Sequence, residues 1–136
     1  MRILALDYGA ARCGCAISDP TGTLARPLPV LEPPAPRAVA ALVSEHDVDL
    51  VVVGLPIGLS GEVGPQAAAA RQFRDEVAVL VDVPVETYDE RLTTRMAERT
   101  ARSGASAAED SLAAAHLLES YLQARGTRGT GPEEEG

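Results

Sequence analysis

The chain has 136 residues and a mass of 14.2 kDa, a size at which one domain can bury a single sheet-and-helix core without disulfides. Its formal net charge of −8 excludes nucleic-acid binding through bulk charge attraction, so any such binding must be local. No segment has the roughly 20 apolar residues of a membrane span, and no basic stretch precedes a long apolar run. We therefore expect a soluble, cytoplasmic protein without membrane contact.

Three short strands are predicted in the first quarter of the chain. The segment I-L-A-L-D-Y-G indicates a buried strand that a glycine ends, with Asp7 near its tip. The segment C-G-C-A-I-S-D alternates small and apolar residues, and the P-T-G that follows is typical of a tight turn. Two prolines in L-A-R-P-L-P-V-L suit an edge strand. Together these segments predict an antiparallel meander.

Helices and strands alternate after the meander. The predicted elements are a helix from Pro36 to His46, a β-branched strand D-L-V-V-V-G, a helix from Pro65 toward Val81, a strand V-P-V-E-T-Y-D-E, and helices from Thr94 to Ser103 and from Ser106 to about Ala124. The polar remainder from Gly126 has nothing to bury, so we expect it to be disordered.

This order of elements predicts the fold class. Strands four and five each follow a helical crossover, which places them parallel to a neighbouring strand. We therefore expect an α/β domain over residues 1–125, with helices on both faces of a mixed five-stranded sheet, and a disordered tail over residues 126–136. The sheet would combine an antiparallel meander of three strands with two parallel strands.

Acidic residues stand at two of the predicted strand ends. Asp7 lies near the end of the first strand, and the pair Asp89 and Glu90 ends the fifth. Because ligands bind at the carboxyl ends of strands in α/β sheets, these positions are candidates for a site. Taken singly, each acid could equally be a turn former or a helix cap.

Asp110 is more informative because of its place on the last predicted helix. At about 100° per residue, it shares a face with the apolar residues Ala113, Ala114, Leu117, Leu118 and Tyr121. A carboxylate on a buried face needs a cation, a basic partner or an open cleft. The alternative is that Asp110 complements the positive end of the helix beside a capping box from Ser106 to Glu109, which explains Glu109 but not an acid on the apolar face.

If the last helix crosses the sheet near the strand tips, Asp7, Asp110 and one of Asp89 and Glu90 form an oxygen-only cluster. Such ligands suit Mg²⁺ or Mn²⁺ rather than zinc. Two such ions about 4 Å apart can activate a water molecule and stabilise the leaving oxygen in phosphodiester hydrolysis. The acids therefore predict a metal-dependent nuclease.

The cysteines and histidines do not offer a competing site. Cys13 and Cys15 face the same side of one strand and lack further Cys or His residues to complete a zinc site, so we expect them to be buried as small apolar residues. His46 and His116 lie on separate helices, and both are expected to face solvent.

Four arginines follow the fifth strand at helical spacing. Arg91, Arg95, Arg99 and Arg102 would form one cationic stripe beside the acids, and this is the only concentrated positive charge in an acidic sequence. The stripe is a candidate for binding nucleic-acid phosphates. A solvated helix face, partly neutralised by Glu98, is the alternative.

Four patterns together resemble the YqgF (RuvX) family. They are A-L-D-Y-G from Ala5, V-G-L-P from Val53, D-E-R-L-T from Asp89 and E-D-S-L-A-A-A-H-L-L-E-S-Y from Glu109. Their order and spacing span nearly the whole chain. The resemblance implies an RNase H-like fold related to Holliday junction resolvases, and a nuclease that matures the 5′ end of precursor 16S ribosomal RNA.

The resemblance also implies roles for individual acids. Asp7 matches the acid of the first strand, Glu90 the acid of the D-E-R motif, and Asp110 the acid of the last helix, which makes these three the expected catalytic residues. They would hold Mg²⁺ or Mn²⁺, expected as two ions, with Asp89 as a further metal ligand.

Other functions remain open at this stage. The same chemistry would serve a resolvase acting on branched DNA, which should work as a homodimer, whereas a ribosomal RNA nuclease could be a monomer. A catalytically silent nucleic-acid-binding module is a third possibility. An actin-like ATPase needs two domains that close on the nucleotide, whereas a chain of this length is expected to hold only one.

Overall fold

The computed structural model describes residues 1–56, 64–89 and 107–129, and in the last segment it describes side chains from Asp110 to Arg125. The strands are β1 (Ile3–Tyr8), β2 (Cys13–Ser18), β3 (Ala25–Leu31), β4 (Leu50–Leu55) and β5 (Val85–Asp89). The helices are α1 (Pro36–Glu45), α2 (Pro65–Leu80) and α3 (Ala107–Gly129). The predicted helix from Thr94 to Ser103 lies outside the described residues.

The five strands form one mixed sheet in the order β3-β2-β1-β4-β5. The pairs β1–β2 and β2–β3 are antiparallel, whereas β4 runs parallel to both β1 and β5. The predicted combination of a three-stranded meander with two parallel strands is therefore confirmed. The carboxyl ends of β1, β4 and β5 share one edge of the sheet, where Asp7 and Asp89 lie.

Each face of the sheet packs against its own helices, because side chains alternate along the strands. Leu4, Leu6 and Val53 belong to the core beneath α1 and α2, together with Phe73 of α2. On the opposite face, Ile3, Ala5, Ala16 and Val52 pack against the apolar side of α3. The predicted placement of helices on both faces is thus confirmed.

Proline begins two of the helices, where its missing N–H costs nothing. Pro36 opens α1 and Pro65 opens α2, as the sequence predicts. The last helix differs from the prediction, since it continues to Gly129 past the predicted boundary at residue 125. Adding a residue to an existing helix needs no new nucleation, so a helix can run beyond the residues that anchor it. No helix among the described residues is long and apolar enough to cross a membrane.

The turn between β2 and β3 is closed by Asp19. Its carboxylate accepts hydrogen bonds from the Thr21 hydroxyl at 2.6 Å and from the backbone N–H groups of Thr23 at 2.8 Å and Leu24 at 3.0 Å. These bonds, led by that of Thr21, lower the pKa of Asp19 to about 2. Gly22 takes a left-handed conformation with φ of 73°, which glycine adopts without strain.

The lowered pKa of Asp19 predicts a pH-dependent contribution to stability. A carboxyl whose folded pKa lies below its ordinary value of 3.8 stabilises the fold above that value and loses the contribution as pH falls toward about 2. We therefore expect Asp19→Asn to lower the free energy of unfolding at neutral pH, with a gap to the parent that narrows below about pH 4. Urea unfolding of both proteins across this range checks it, and a gap that does not change with pH would contradict it.

Candidate active site

Asp7 is a buried carboxylate on the α3 face of the sheet. It follows Ile3 and Ala5 in the alternation of β1, and its exposure is 3%. Its partner across the antiparallel pair is Gly14 of β2. Directly opposed residues of an antiparallel pair point to the same face, so Asp7 and the bare Cα of Gly14 both face α3.

Asp110 approaches the sheet over Gly14. A Cβ atom at position 14 would lie 2.2 Å from the backbone oxygen of Asp110 and 3.4 Å from its Cβ atom, so α3 occupies the space that any side chain there would fill. The neighbouring Ala5 and Ala16 are also small and fully buried, which lets the helix lie close to the sheet. Asp7 and Asp110 are therefore both neighbours of Gly14 on the α3 face of the sheet.

The apolar face of α3 is arranged as the helical spacing predicts. Asp110 is 8% exposed, and the residues that share its face are buried, namely Ala113, Ala114, Leu117, Leu118 and Tyr121. Ser111 next to it is 9% exposed and donates a hydrogen bond to the Leu28 carbonyl of β3 at 2.7 Å. This bond fixes the first turns of α3 against the meander and thereby holds Asp110 over the sheet.

Arg12 completes the described part of the site. From the turn between β1 and β2, its Nε donates a hydrogen bond to Oδ2 of Asp110 at 2.5 Å. This hydrogen bond raises the pKa of Arg12 above its ordinary value, and the charges of Asp110 and Glu32 act in the same direction. Sequence reasoning missed Arg12 because its partner lies 98 residues away, and local spacing carries no signal of such a pair.

Asp89 and its neighbour Tyr88, at the end of β5, face opposite sides of the sheet. Asp89 is paired in register with Leu55, which belongs to the core beneath α1 and α2. Asp89 therefore lies on the face opposite to Asp7 and Asp110. Its neighbour Tyr88 faces α3, where its hydroxyl hydrogen-bonds the Ser120 hydroxyl at 2.9 Å. Glu90 and the predicted arginine stripe of Arg91, Arg95, Arg99 and Arg102 lie outside the described residues.

Asp7 and Asp110 fit a hard divalent cation. Both are buried next to Gly14, whose lack of a side chain lets α3 lie close to β1, and oxygen donors suit Mg²⁺ or Mn²⁺. Within residues 1–56, 64–89 and 107–129, no group of three His, Cys, Asp or Glu residues is placed to hold a metal. A third carboxylate would have to come from elsewhere in the chain.

The cysteines lie where the sequence predicts, and both histidines are partly exposed. Cys13 and Cys15 are free thiols in the core, and the hydrogen bond between them and their burial raise the pKa of Cys13 well above its ordinary value. Both therefore act as small buried residues. His46 and His116 are each of intermediate exposure, and Nδ1 of His116 lies 3.2 Å from a carboxylate oxygen of Glu119.

Comparison with known proteins extends this picture. A family model described as "RuvX: Holliday junction resolvase" matches residues 1–124. A protein of Chloroflexus aggregans named "Putative pre-16S rRNA nuclease" is 45% identical over 133 residues, which cover 90% of this chain and 94% of the relative. A protein of Roseiflexus with the same name is 46% identical over 103 residues, or 72% of each chain.

Solved structures agree on the fold. RuvC of Thermus thermophilus superimposes with a TM-score of 0.57 at 17% identity, covering 93% of this chain and 97% of RuvC. A complex of the same protein with a Holliday junction gives a TM-score of 0.56 at 18% identity and covers 92% and 95% of the two chains. This likeness confirms the RNase H-like fold, and with the match over residues 1–124 it shows that the chain belongs to the RuvX family of Holliday junction resolvases.

Proposed function

We propose that this protein is a divalent-metal-dependent endonuclease that processes the 5′ end of precursor 16S ribosomal RNA. The observation that carries the proposal is that two buried carboxylates, Asp7 and Asp110, both adjoin Gly14 on one face of the sheet. Two like charges at one buried place repel each other unless cations accompany them. Arg12 pairs with Asp110, and a bound divalent cation would further reduce the repulsion between the two acids.

The roles of the residues follow from where they lie. Asp7 and Asp110 would hold the metal, and the packing of α3 on β1 and β2 would fix their separation. Bound Mg²⁺ or Mn²⁺ ions would supply the activation of a water molecule and the stabilisation of the leaving oxygen. The bare Cα of Gly14 lets α3 lie close to the sheet, which would allow the two acids to share one ion.

We further propose Glu90 as the third carboxylate. Asp89 lies on the α1 and α2 face, away from Asp7 and Asp110, and this position favours its neighbour in the sequence as the ligand. The arginines Arg91, Arg95 and Arg99, with Arg102, are the proposed contacts to nucleic-acid phosphates. They follow the acids directly along the chain, and a local basic stripe is what an acidic protein requires for binding.

The choice of substrate is supported by the relatives. Proteins that are 45% and 46% identical carry the name of a pre-16S rRNA nuclease. A second candidate, resolution of branched DNA, is favoured by the family model and by the likeness to RuvC. The two differ in assembly, since symmetric cleavage of a junction requires a homodimer, whereas RNA trimming does not.

Cleavage of three substrates side by side tests the proposal. Purified protein is incubated with a precursor 16S rRNA fragment that includes the 5′ extension, with a four-way DNA junction and with linear duplexes, each with Mg²⁺, with Mn²⁺ or with a chelator. We expect metal-dependent cleavage of the rRNA precursor at its 5′ side and little cleavage of the linear controls. Preferred symmetric cutting of the junction by a dimer would move the assignment to the resolvase, and no cleavage of any substrate would contradict a nuclease.

The arginine stripe has its own test. Replacing Arg95 and Arg99 with alanine should weaken binding of the rRNA fragment and lower the slope of log affinity against log salt by roughly one to two, because two phosphate contacts are lost. Arg37→Ala on the exposed side of α1 is the matched control. An unchanged slope would show that these arginines do not contact phosphates and would favour a solvated helix face instead.

A further inference from the structure

Arg12 bonds an oxygen that the proposed metal could also bind. Its Nε bonds Oδ2 of Asp110, and the side chains are 25% and 12% exposed, so the ion pair lies at the mouth of the site rather than beneath it. A cation that binds this oxygen from solvent must compete with the guanidinium.

The charges favour an exchange of partners. Asp7 and Asp110 carry two negative charges against the one positive charge of Arg12. A divalent cation bound to the two acids would replace the positive charge that Arg12 gives to Asp110, and the guanidinium would then be available to another anion. A phosphodiester is such an anion, and an arginine fork is well shaped to bind it.

We propose that Arg12 binds phosphate only after metal has bound. Without metal it is paired with Asp110; a divalent cation displaces it from Asp110, and the released guanidinium then binds the phosphate of the nucleic acid. This proposal rests on the proposed function, since it assumes that Asp7 and Asp110 bind the metal. It assigns to Arg12 a contact that exists only after metal has bound. Metal and nucleic acid would therefore increase each other's affinity by the same factor.

The backbone around Arg12 allows the side chain to move alone. Its carbonyl oxygen packs against Gly9, where an added Cβ atom would lie at 2.8 Å, so the turn is closely packed and keeps its shape. The side chain beyond it is partly exposed. Glu32, an exposed residue after β3, also acts electrostatically on the guanidinium and would offer it a second partner during the exchange.

The first experiment observes the displacement itself. The side-chain Nε–Hε signal of Arg12 is identified by its absence from the spectrum of Arg12→Lys, and Mg²⁺ is then titrated into the full-length protein. We expect the signal to shift or broaden in step with metal binding, while the corresponding signal of Arg37 does not change. An Arg12 signal that stays unchanged at saturating Mg²⁺ would overturn the proposal.

The second experiment separates the two roles of the side chain. Arg12→Gln should bind Mn²⁺ roughly three- to tenfold more tightly than the parent in the absence of nucleic acid, because the competing ion pair is gone. Binding of a four-way DNA junction is then measured against salt, with Ca²⁺ and without any divalent ion. With Ca²⁺ the salt slope of Arg12→Gln should be smaller than that of the parent by about one, and without it the two slopes should agree.

The outcomes distinguish this proposal from the proposed function. Arg37→Gln should match the parent in every measurement. If the salt slopes of the parent and Arg12→Gln differ equally with and without Ca²⁺, Arg12 contacts phosphate independently of metal. If Arg12→Gln binds Mn²⁺ more weakly than the parent or equally well, Arg12 does not compete with metal for Asp110. Either result overturns the proposal. If the exchange is observed but the parent cleaves none of the three substrates, the nuclease assignment fails and the exchange stands.

Discussion

Asp7→Asn and Asp110→Asn are each expected to reduce metal-dependent cleavage by roughly a thousandfold or more, because each removes a negatively charged ligand from the proposed metal site. Both changes preserve side-chain shape, so the fold should persist. Glu119→Gln is the matched control, since Glu119 lies on the exposed side of α3 and is 59% exposed. Initial cleavage rates of the four proteins with saturating Mn²⁺ measure the effect.

The two variants should differ in stability without metal. Asp7→Asn relieves repulsion between two buried carboxylates and should leave the melting temperature unchanged or raise it. Asp110→Asn also removes the ion pair with Arg12, so it should melt below Asp7→Asn. Thermal melts with a chelator check this order. Cleavage by both variants at the rate of the parent would contradict the assignment of these acids.

Gly14→Ala is expected to lower the free energy of unfolding by about 1–3 kcal/mol and to reduce cleavage strongly. The added methyl group would overlap the backbone oxygen of Asp110 at 2.2 Å and its carbonyl carbon at 2.8 Å. Backbone cannot rotate away as a side chain can, so α3 must move off the sheet. That movement separates Asp110 from Asp7 and loosens the packing of the buried alanines on α3.

Gly64→Ala provides the control for Gly14→Ala. An added Cβ atom at Gly64 meets nothing within 4 Å, and its φ of −85° suits any residue. Its change in stability should stay within about 1 kcal/mol, the usual range for exchanging residues at a helix N-cap. Chemical unfolding of both variants tests the contrast. Equal stability of Gly14→Ala and the parent would mean that α3 does not lie this close to the sheet.

Local patterns were sufficient for most of the fold. The β-branched run of β4 is buried along its whole length, as a strand with both faces covered requires. Pro36 and Pro65 marked two helix starts because the proline ring is compatible only with the first turn. The end of α3 was predicted poorly, because the polar residues after Ala124 carry no apolar signal and yet continue the helix to Gly129.

The candidate site, like the fold, was predicted where it depends on local spacing and missed where it depends on packing. Helical periodicity alone placed Asp110 on the buried face, since the position of a residue around a helix depends only on its spacing from its neighbours. The contact of Gly14 with α3 and the pair of Arg12 with Asp110 depend on how a helix crosses a sheet, which no local pattern encodes. The sequence left open which face of the sheet Asp89 occupies, and its register with Leu55 places it on the α1 and α2 face.

An anomalous difference map from crystals grown with Mn²⁺ would show whether Asp7 and Asp110 bind the metal. We expect a peak within about 2.2 Å of a carboxylate oxygen of Asp7 and of Asp110, the distance range of small hard cations to oxygen ligands. We also expect the Arg12 guanidinium to have left Asp110 in the same crystal. A map in which Mn²⁺ is absent from these two carboxylates, or is bound at another place, would contradict the assignment of the metal site.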